Sequence, residues 1–403
     1  MSVYSPFGYF IAITIFLGFI SIPVFAAADR PWHPETERTA TIDGLRGFLA
    51  TGVFFHHALI YHRYLQDGVW TVPPSNFYTQ LGQSGVTLFF MITGYLFWGK
   101  IISSDRRLSW VNLYIGRVFR IGPLYFLSIF LMLFVIFWSV GFALAEPWPV
   151  VWHQMTPLVA LGWFTPGDQI NAYRQPWVLI AGVTWTLRYE WIFYLLILPI
   201  CALGKRIFNA SLVVPVVGLL FCLALIYRHH DINSFSYSAF FVGMACAASR
   251  ARGWLGIHNR GFDTLASIIL MVLLVYLFQL PTAYAFRAFI ILAVMFAIIS
   301  AGGSMFGLLH ARCSRRLGEI SYGIYILQGL ALFAVLRQPW IKTYLIISPI
   351  GYWCCVVLAG ALLISGAMFA HVWLEKPGIA LGRAIAARIP KLASLKERKW
   401  PQI

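Results

Sequence analysis

Charge is what this sequence has least of. Asp, Glu, Lys and Arg together make up 11% of its 403 residues, where a soluble chain carries roughly 25%. Only 14 positions are acidic, while 60% are hydrophobic. A water-facing fold of this length cannot hide that much apolar surface, so the composition excludes a soluble enzyme, a disordered tail and a small disulfide-stapled module. The six cysteines (Cys201, Cys222, Cys246, Cys313, Cys354 and Cys355) form no CxxC and sit in or beside apolar runs, which reads as small buried hydrophobes. The sequence shows no internal repeat, low-complexity segment or second soluble domain. It also has no serine nucleophile elbow, Cys-His arrangement, zinc-ligand spacing or phosphate loop.

What is present is a series of apolar stretches long enough to cross a ~30 Å hydrocarbon core. They lie at 7–28, 44–62, 84–102, 121–143, 184–203, 211–228, 235–249, 262–281, 284–303, 320–337 and 349–374. The expected fold is therefore all-α, a polytopic transmembrane bundle with a core of about ten helices plus one extra N-terminal helix. The division reads as an N-terminal helix and cytoplasmic linker (1–40), a membrane domain (41–378) and a basic cytoplasmic tail (379–403). One longer loop, Glu146 to Gly182, is rich in Pro and Trp and is expected at an interface, where Trp rings prefer to sit.

The scarce charges are unevenly signed, 30 basic against 14 acidic. With the loops placed on alternate sides, 23 of the 30 Lys and Arg fall on one side, among them Arg46, Lys100, Arg117, Arg120, Arg312, Arg316 and the whole tail. The positive-inside rule then makes the C-terminus cytoplasmic and removes any need for a nucleic-acid partner. The first span ends in Phe25-Ala26-Ala27-Ala28, which looks like a signal-peptidase site, yet no Lys or Arg precedes it. Cleavage would leave Asp29 to Arg46 outside, against the charge count, so an uncleaved helix with its N-terminus outside is preferred.

Ionisable side chains inside a span are expensive, which makes each a functional candidate. Span 44–62 holds Arg46, His56 and His57; span 184–203 holds Arg188 and Glu190; span 349–374 holds His371 and ends at Glu375. Eleven residues separate Arg46 from His57, about 20° from three full turns, so both face one way with His57 roughly 16 Å further along. His56 points about 100° elsewhere. Counted from the span ends, His57 and Glu190 meet at nearly one depth, the pattern of a general base whose imidazolium is held by a carboxylate.

Thr41-Ile42-Asp43-Gly44-Leu45-Arg46-Gly47 followed by His57 resembles the opening signature of the membrane-bound acyltransferase-3 family. Gly85-Val86-Thr87-Leu88-Phe89-Phe90-Met91-Ile92-Thr93-Gly94 is similar to its next signature. Tyr114-Ile115-Gly116-Arg117-Val118-Phe119-Arg120-Ile121-Gly122-Pro123-Leu124-Tyr125 resembles its basic motif, and Trp185-Thr186-Leu187-Arg188-Tyr189-Glu190-Trp191-Ile192-Phe193-Tyr194 its Trp-Ser-Leu-x-x-Glu segment. Ser321-Tyr322-Gly323-Ile324-Tyr325-Ile326-Leu327-Gln328 and Glu375-Lys376-Pro377 resemble the last two. Six segments in family order cover residues 41–377. Three departures stand out: Gln328 where the family often has His, Gly116 before Arg117 where it often has two Arg, and Thr93 for Ser.

The resemblance implies an O-acyltransferase of the bacterial inner membrane. It would move an acyl group, commonly acetyl from acetyl-CoA, to a hydroxyl of an envelope carbohydrate or lipid-linked glycan. It implies no resident cofactor or metal. Catalysis is placed on His57, Glu190 and Arg46, because Gln328 orients a hydroxyl but exchanges no proton near neutral pH. Arg46, Arg117 and Arg120 are placed on the CoA phosphates, since guanidinium forks bind phosphate bidentately; topology or anionic lipid is the plainer reading of the latter two. Pro123, after Arg120, fits a helix start. Asp43, Arg188, Tyr322 and Gln328 are placed on the substrate, with aromatic packing the plainer reading of Tyr322 and Tyr325. Gly85 and Gly94 allow close approach of a helix or of the acyl-pantetheine arm. Glu375 is read as capping the bundle through Lys or Arg. The competing classes are a transporter or flippase with His57, Arg188 and Glu190 as a proton relay, and a haem or metal protein built on His56, His57 and His371.

Overall fold

The computed structural model describes residues 2–29, 40–104, 109–208, 210–229, 231–255, 260–338 and 348–397. The linker at 30–39 lies outside them, as do Arg106, Arg107, Lys342, Arg398 and Lys399 of the basic residues counted above. All eleven apolar stretches are helical. In chain order the helices are α1 (Pro6–Ser21), α2 (Ala40–Asp67), α3 (Asn76–Ser103), α4 (Trp110–Ser139), the short α5 (Trp148–Met155), α6 (Trp185–Ile192), α7 (Leu198–Phe208) and α8 (Val213–His229). They continue with α9 (Ile232–Ala251), α10 (Arg260–Leu277), α11 (Phe286–Ala301), α12 (Arg312–Glu319), α13 (Ser321–Leu336), α14 (Pro349–Ala370) and α15 (Lys376–Glu397). Single π turns, Phe193–Ile197 and His371–Glu375, join α6 to α7 and α14 to α15.

Among the described residues, four rods are by themselves long and apolar enough to cross a bilayer: α3, α4, Trp185–Phe208 and Pro349–Ile389. A fifth is the pair α12–α13, bent by 70°. The break replaces the single start expected at residue 320. Helices α2 and α9 miss that measure because they need little apolarity toward lipid. Their neighbours bury most of their length, including Ser234, Ser236 and Ser238 on α9. Outward-facing side chains such as Phe130, Leu196, Ile200, Val272 and Phe369 form the apolar exterior that lipid requires. The chain is a multi-pass membrane protein with an all-α bundle.

Packing in lipid rests on close backbone approach, and α3 crosses α9 through a reciprocal pair of glycines. A Cβ on Gly94 would collide with the Phe240 carbonyl, and one on Gly243 with the Met91 carbonyl. Gly94 thus serves helix packing. Pro123 lies inside α4, which starts where the Ser109 hydroxyl accepts the Asn112 N–H. Proline removes the amide that would bond the Phe119 carbonyl, and the bare backbone of Gly378 packs against that carbonyl and the Pro123 ring.

The loop after α4 is tied down by polar bonds. Glu146 accepts from Gln154 Nε2, Gln169 Nε2 and the Ala172 amide at 2.9, 2.9 and 3.0 Å. The antiparallel hairpin Gln169–Ile170/Tyr173–Arg174 turns at Asn171 and Ala172, both at positive φ (49° and 62°), and Asn171 Oδ1 accepts the Ala145 amide at 2.8 Å. Beyond it, Leu179, Ile180 and Ala181 are buried and abut Gly329 of α13. Part of this loop is therefore inserted in the bundle rather than lying over it.

Arg316 of α12 fastens the N-terminal helix. Its guanidinium donates to the carbonyls of Ile20 (2.9 Å), Ser21 (3.2 Å) and Ile22 (3.2 Å) at the end of α1, and to both Asp29 carboxylate oxygens (2.8 and 3.0 Å). Hydrogen bonds from Arg316 and Arg312 hold the Asp29 carboxyl well below the ordinary carboxylate range. That stabilisation is full above the unfolded carboxylate pKa of about 4 and is lost as pH falls through the depressed value. Arg316→Ala strands three carbonyls and a carboxylate and is expected to cost about 3 kcal/mol in thermal unfolding in detergent. Arg312→Ala, on a side chain 69% exposed, changes the midpoint little.

Candidate active site

Four cations converge at one end of the bundle. Arg46 lies nearly two turns into α2, Lys100 in the last turn of α3, and Arg117 and Arg120 in the first half of α4. They line a cavity of ≈ 310 Å³ together with Asn112, Thr186, Glu190, Tyr194, Tyr322 and Tyr325. Each guanidinium has partners, as its removal from bulk water demands. Arg46 stands 3.7 Å from Asp43, and Arg120 stands 3.8 Å from Glu375. Arg117 sits over the rings of Phe97 (4.8 Å) and Tyr194 (5.9 Å).

Glu190 and Glu375, which face these arginines from other helices, belong to i, i+4 pairs that meet a π turn. Glu190 accepts from Tyr194 Oη at 2.7 Å, where the π turn Phe193–Ile197 begins. Glu375 closes the other π turn. It is 1% exposed and lies 2.9 Å from His371 Nδ1. Glu375 therefore caps the site through Arg120, the kind of partner expected from the sequence.

His57 lies apart from the cations. Its Nδ1 is 3.0 Å from the Val53 carbonyl and 3.3 Å from Gln328 Oε1. The Gln328 amide is fixed in turn by its Nε2, which donates to the Tyr325 carbonyl at 2.8 Å. Two acceptors on Nδ1 assign the hydrogen there and leave the lone pair on Nε2. Tyr322, Tyr325 and Gln328 are one turn apart on α13, so a file of three side chains leads about 9 Å from the cavity to His57. Tyr322 Oη donates to the Ile121 carbonyl at 2.9 Å, and Tyr325 Oη meets Thr186 Oγ1 at 2.9 Å.

His57 and Glu190 do not pair: Gln328 stands where the carboxylate was expected. The inserted loop explains the shift. Ala181 abuts Gly329, which places the start of α6 at the depth of Gln328, and Glu190, nine residues on, ends level with Tyr322 near the cations. Arg188 is exposed and does not line the cavity, since two residues of α6 put it 200° from Glu190. No described hydrogen bond links His57, Arg188 and Glu190 into a relay. His56 is spent on structure: it is buried beneath Gly82, and its Nδ1 is 2.8 Å from the Tyr78 carbonyl. Among the described residues no three His, Cys, Asp or Glu side chains gather as a metal site would require.

Residues 39–369 match the family described as Acyltransferase domain, acyltransferase-3. The chain belongs to the acyltransferase-3 family. Over 114 residues it is 32% identical to the exopolysaccharide production protein ExoZ of Rhizobium meliloti (strain 1021). That stretch is 28% of this chain and spans about a third (32%) of the relative's length. No solved structure matches the chain.

Sequence reasoning gave no site role to Lys100 or Asn112, and Tyr194 entered only as the end of the family-like segment that begins at Trp185. Lys100 entered only as a topology count, and Tyr194 carried a signal in its i+4 spacing from Glu190. The buried Arg120–Glu375–His371 chain makes a direct prediction for this acyltransferase-3 protein. Glu375→Gln removes the charge that faces Arg120 and is expected to destabilise by about 3 kcal/mol in detergent thermal unfolding.

Proposed function

We propose that the protein is an integral-membrane O-acyltransferase. It takes an acyl group, acetyl in the simplest case, from acyl-CoA and places it on a hydroxyl of a cell-envelope or exported carbohydrate. The observation that carries this reading is the file from a four-cation cavity through Tyr325 and Gln328 to a histidine whose free ring nitrogen is fixed. The printed name of the ExoZ relative, an exopolysaccharide production protein, supports a glycan acceptor. The charge count supports a plasma-membrane orientation with the cation cavity and the C-terminus facing the cytoplasm, where acyl-CoA is made.

In this mechanism Arg46, Lys100, Arg117 and Arg120 hold the CoA phosphates, and the pantetheine arm runs along Tyr322 and Tyr325. His57 Nε2 takes the proton of the acceptor hydroxyl while its oxygen attacks the thioester carbonyl. The new C–O bond forms, the C–S bond breaks, and the leaving thiolate recovers the proton from Nε2. Gln328 and the Val53 carbonyl hold Nδ1–H and so keep the imidazole in the tautomer that accepts at Nε2. Asp43 steadies Arg46, and Glu190 with Tyr194 fixes the face of Arg117. Arg188, on the outer face of α6, takes no part.

The test is transfer of radiolabelled acetyl from acetyl-CoA to a de-esterified polysaccharide by the reconstituted protein. His57→Ala is expected to lose 10²- to 10⁴-fold in kcat with the thermal midpoint kept. Arg117→Ala is expected to raise the acetyl-CoA KM about tenfold with a smaller change in kcat. Full transfer by His57→Ala would overturn the assignment of the base.

A further inference from the structure

The end of α2 beyond His57 carries a cluster of rings that the transfer step does not use. His57, Tyr61 and Tyr64 follow one another on one face of the helix. After Gly68 (φ 75°) the chain doubles back and lays Trp70 over that face. The turn is pinned by Asp67, which accepts from the Val69 amide (2.9 Å) and Arg63 Nε (3.3 Å). The Trp70 ring stacks on His57 at 6.2 Å and 26°, and meets Tyr61 and Tyr64 edge-on, each at 5.7 Å. Trp177, from the inserted loop, closes the wall at 5.9 Å from Trp70.

Polar groups border these rings. Tyr61 is fully buried, with Arg337 within reach of its hydroxyl and Tyr173 beside it. The Thr71 hydroxyl, next to Trp70, is buried without a partner. Arg337 Nη1 donates to Tyr173 Oη at 3.0 Å. Buried hydroxyls are ordinarily bonded, so an orphan beside an aromatic wall marks a place for a ligand with its own hydroxyls. Aromatic faces for C–H surfaces, with hydroxyls and an arginine at their edges, is the chemistry that recognises a sugar ring. The four cations that suit a phosphorylated donor are on the far side of His57, as two substrates approaching one base from opposite ends require.

We propose that Trp70, Trp177 and Tyr64 form the acceptor subsite. They hold a pyranose unit of the acceptor glycan, its ring on the indoles and one hydroxyl at His57 Nε2, while Thr71 bonds a neighbouring hydroxyl. This assignment rests on the acyl-transfer reading above and adds the acceptor's place to it. The test uses full-length protein in lipid nanodiscs and the oligosaccharide repeat of the host's own exopolysaccharide, stripped of esters by mild alkali. Trp70→Ala and Trp177→Ala are expected to raise the oligosaccharide KM tenfold or more while leaving the acetyl-CoA KM within twofold. Trp70→Phe restores most of the loss, which a merely misfolded variant would not allow.

An oligosaccharide KM unchanged in both alanine variants would overturn the subsite and leave the acyl-transfer reading standing. If the wild type transfers no acyl group, that reading fails, and calorimetric titration with the same oligosaccharide decides the subsite separately. Binding by the wild type that is lost in Trp70→Ala supports it; equal binding by both, or none by the wild type, overturns it.

Discussion

An arginine taken out of water must face anions, carbonyl oxygens or ring faces, and that one requirement organises this bundle. Arg316 draws three carbonyls of α1 and the Asp29 carboxylate to the end of α12. Arg120 draws Glu375, and through it His371, to the joint between α14 and α15. Arg117 settles between Phe97 and Tyr194, and Tyr194 brings Glu190. The contacts of Arg316, Arg120 and Arg117 tie helices that are distant in sequence, so the cavity is a product of the way the cations are satisfied. The two π turns belong to the same scheme. A local widening of the helix gives Glu190–Tyr194 and His371–Glu375 the extra backbone room to turn toward the arginines.

The second organising fact is separation. The cations, with Asp43, Glu190 and Glu375, collect at one end of α2, while His57 is held eleven residues on by groups that carry no charge, the Val53 carbonyl and the Gln328 amide. A neutral amide fixes the tautomer without adding a carboxylate where the helices are most deeply packed. Gln328 in place of a family histidine thus has a positive role: it orients the His57 ring. The arrangement suits a reaction in which a charged donor stays at one end and only its uncharged reacting group travels inward.

The helices were legible in the sequence because apolar run length is nearly sufficient in a bilayer, and all eleven stretches are helical. The shared face of Arg46 and His57 was legible too, since both lie on one uninterrupted helix. The level of Glu190 was not. Depth was counted from the start of a span, and the segment Pro176–Ile180 enters the bundle before α6 begins, so the count started too near the surface. Pro123 pointed to a helix start, but Gly378, more than 250 residues away, supplies the packing that lets α4 continue through it. The partner of His57 lies 271 residues away on α13, and no local spacing reveals it.

The central claim, that a donor anchored on the cation cavity delivers its acyl group to His57, is tested most directly by locating the donor. A cryo-EM map of the protein with a non-hydrolysable acetyl-CoA analogue measures where the phosphates and the acyl carbon sit. The account predicts phosphate density against Arg117, Arg120 and Lys100, and the acyl carbon within hydrogen-bonding reach of a hydroxyl held at His57 Nε2. An analogue bound elsewhere on the bundle, or one whose acyl end points away from Tyr325 and Gln328, would contradict it.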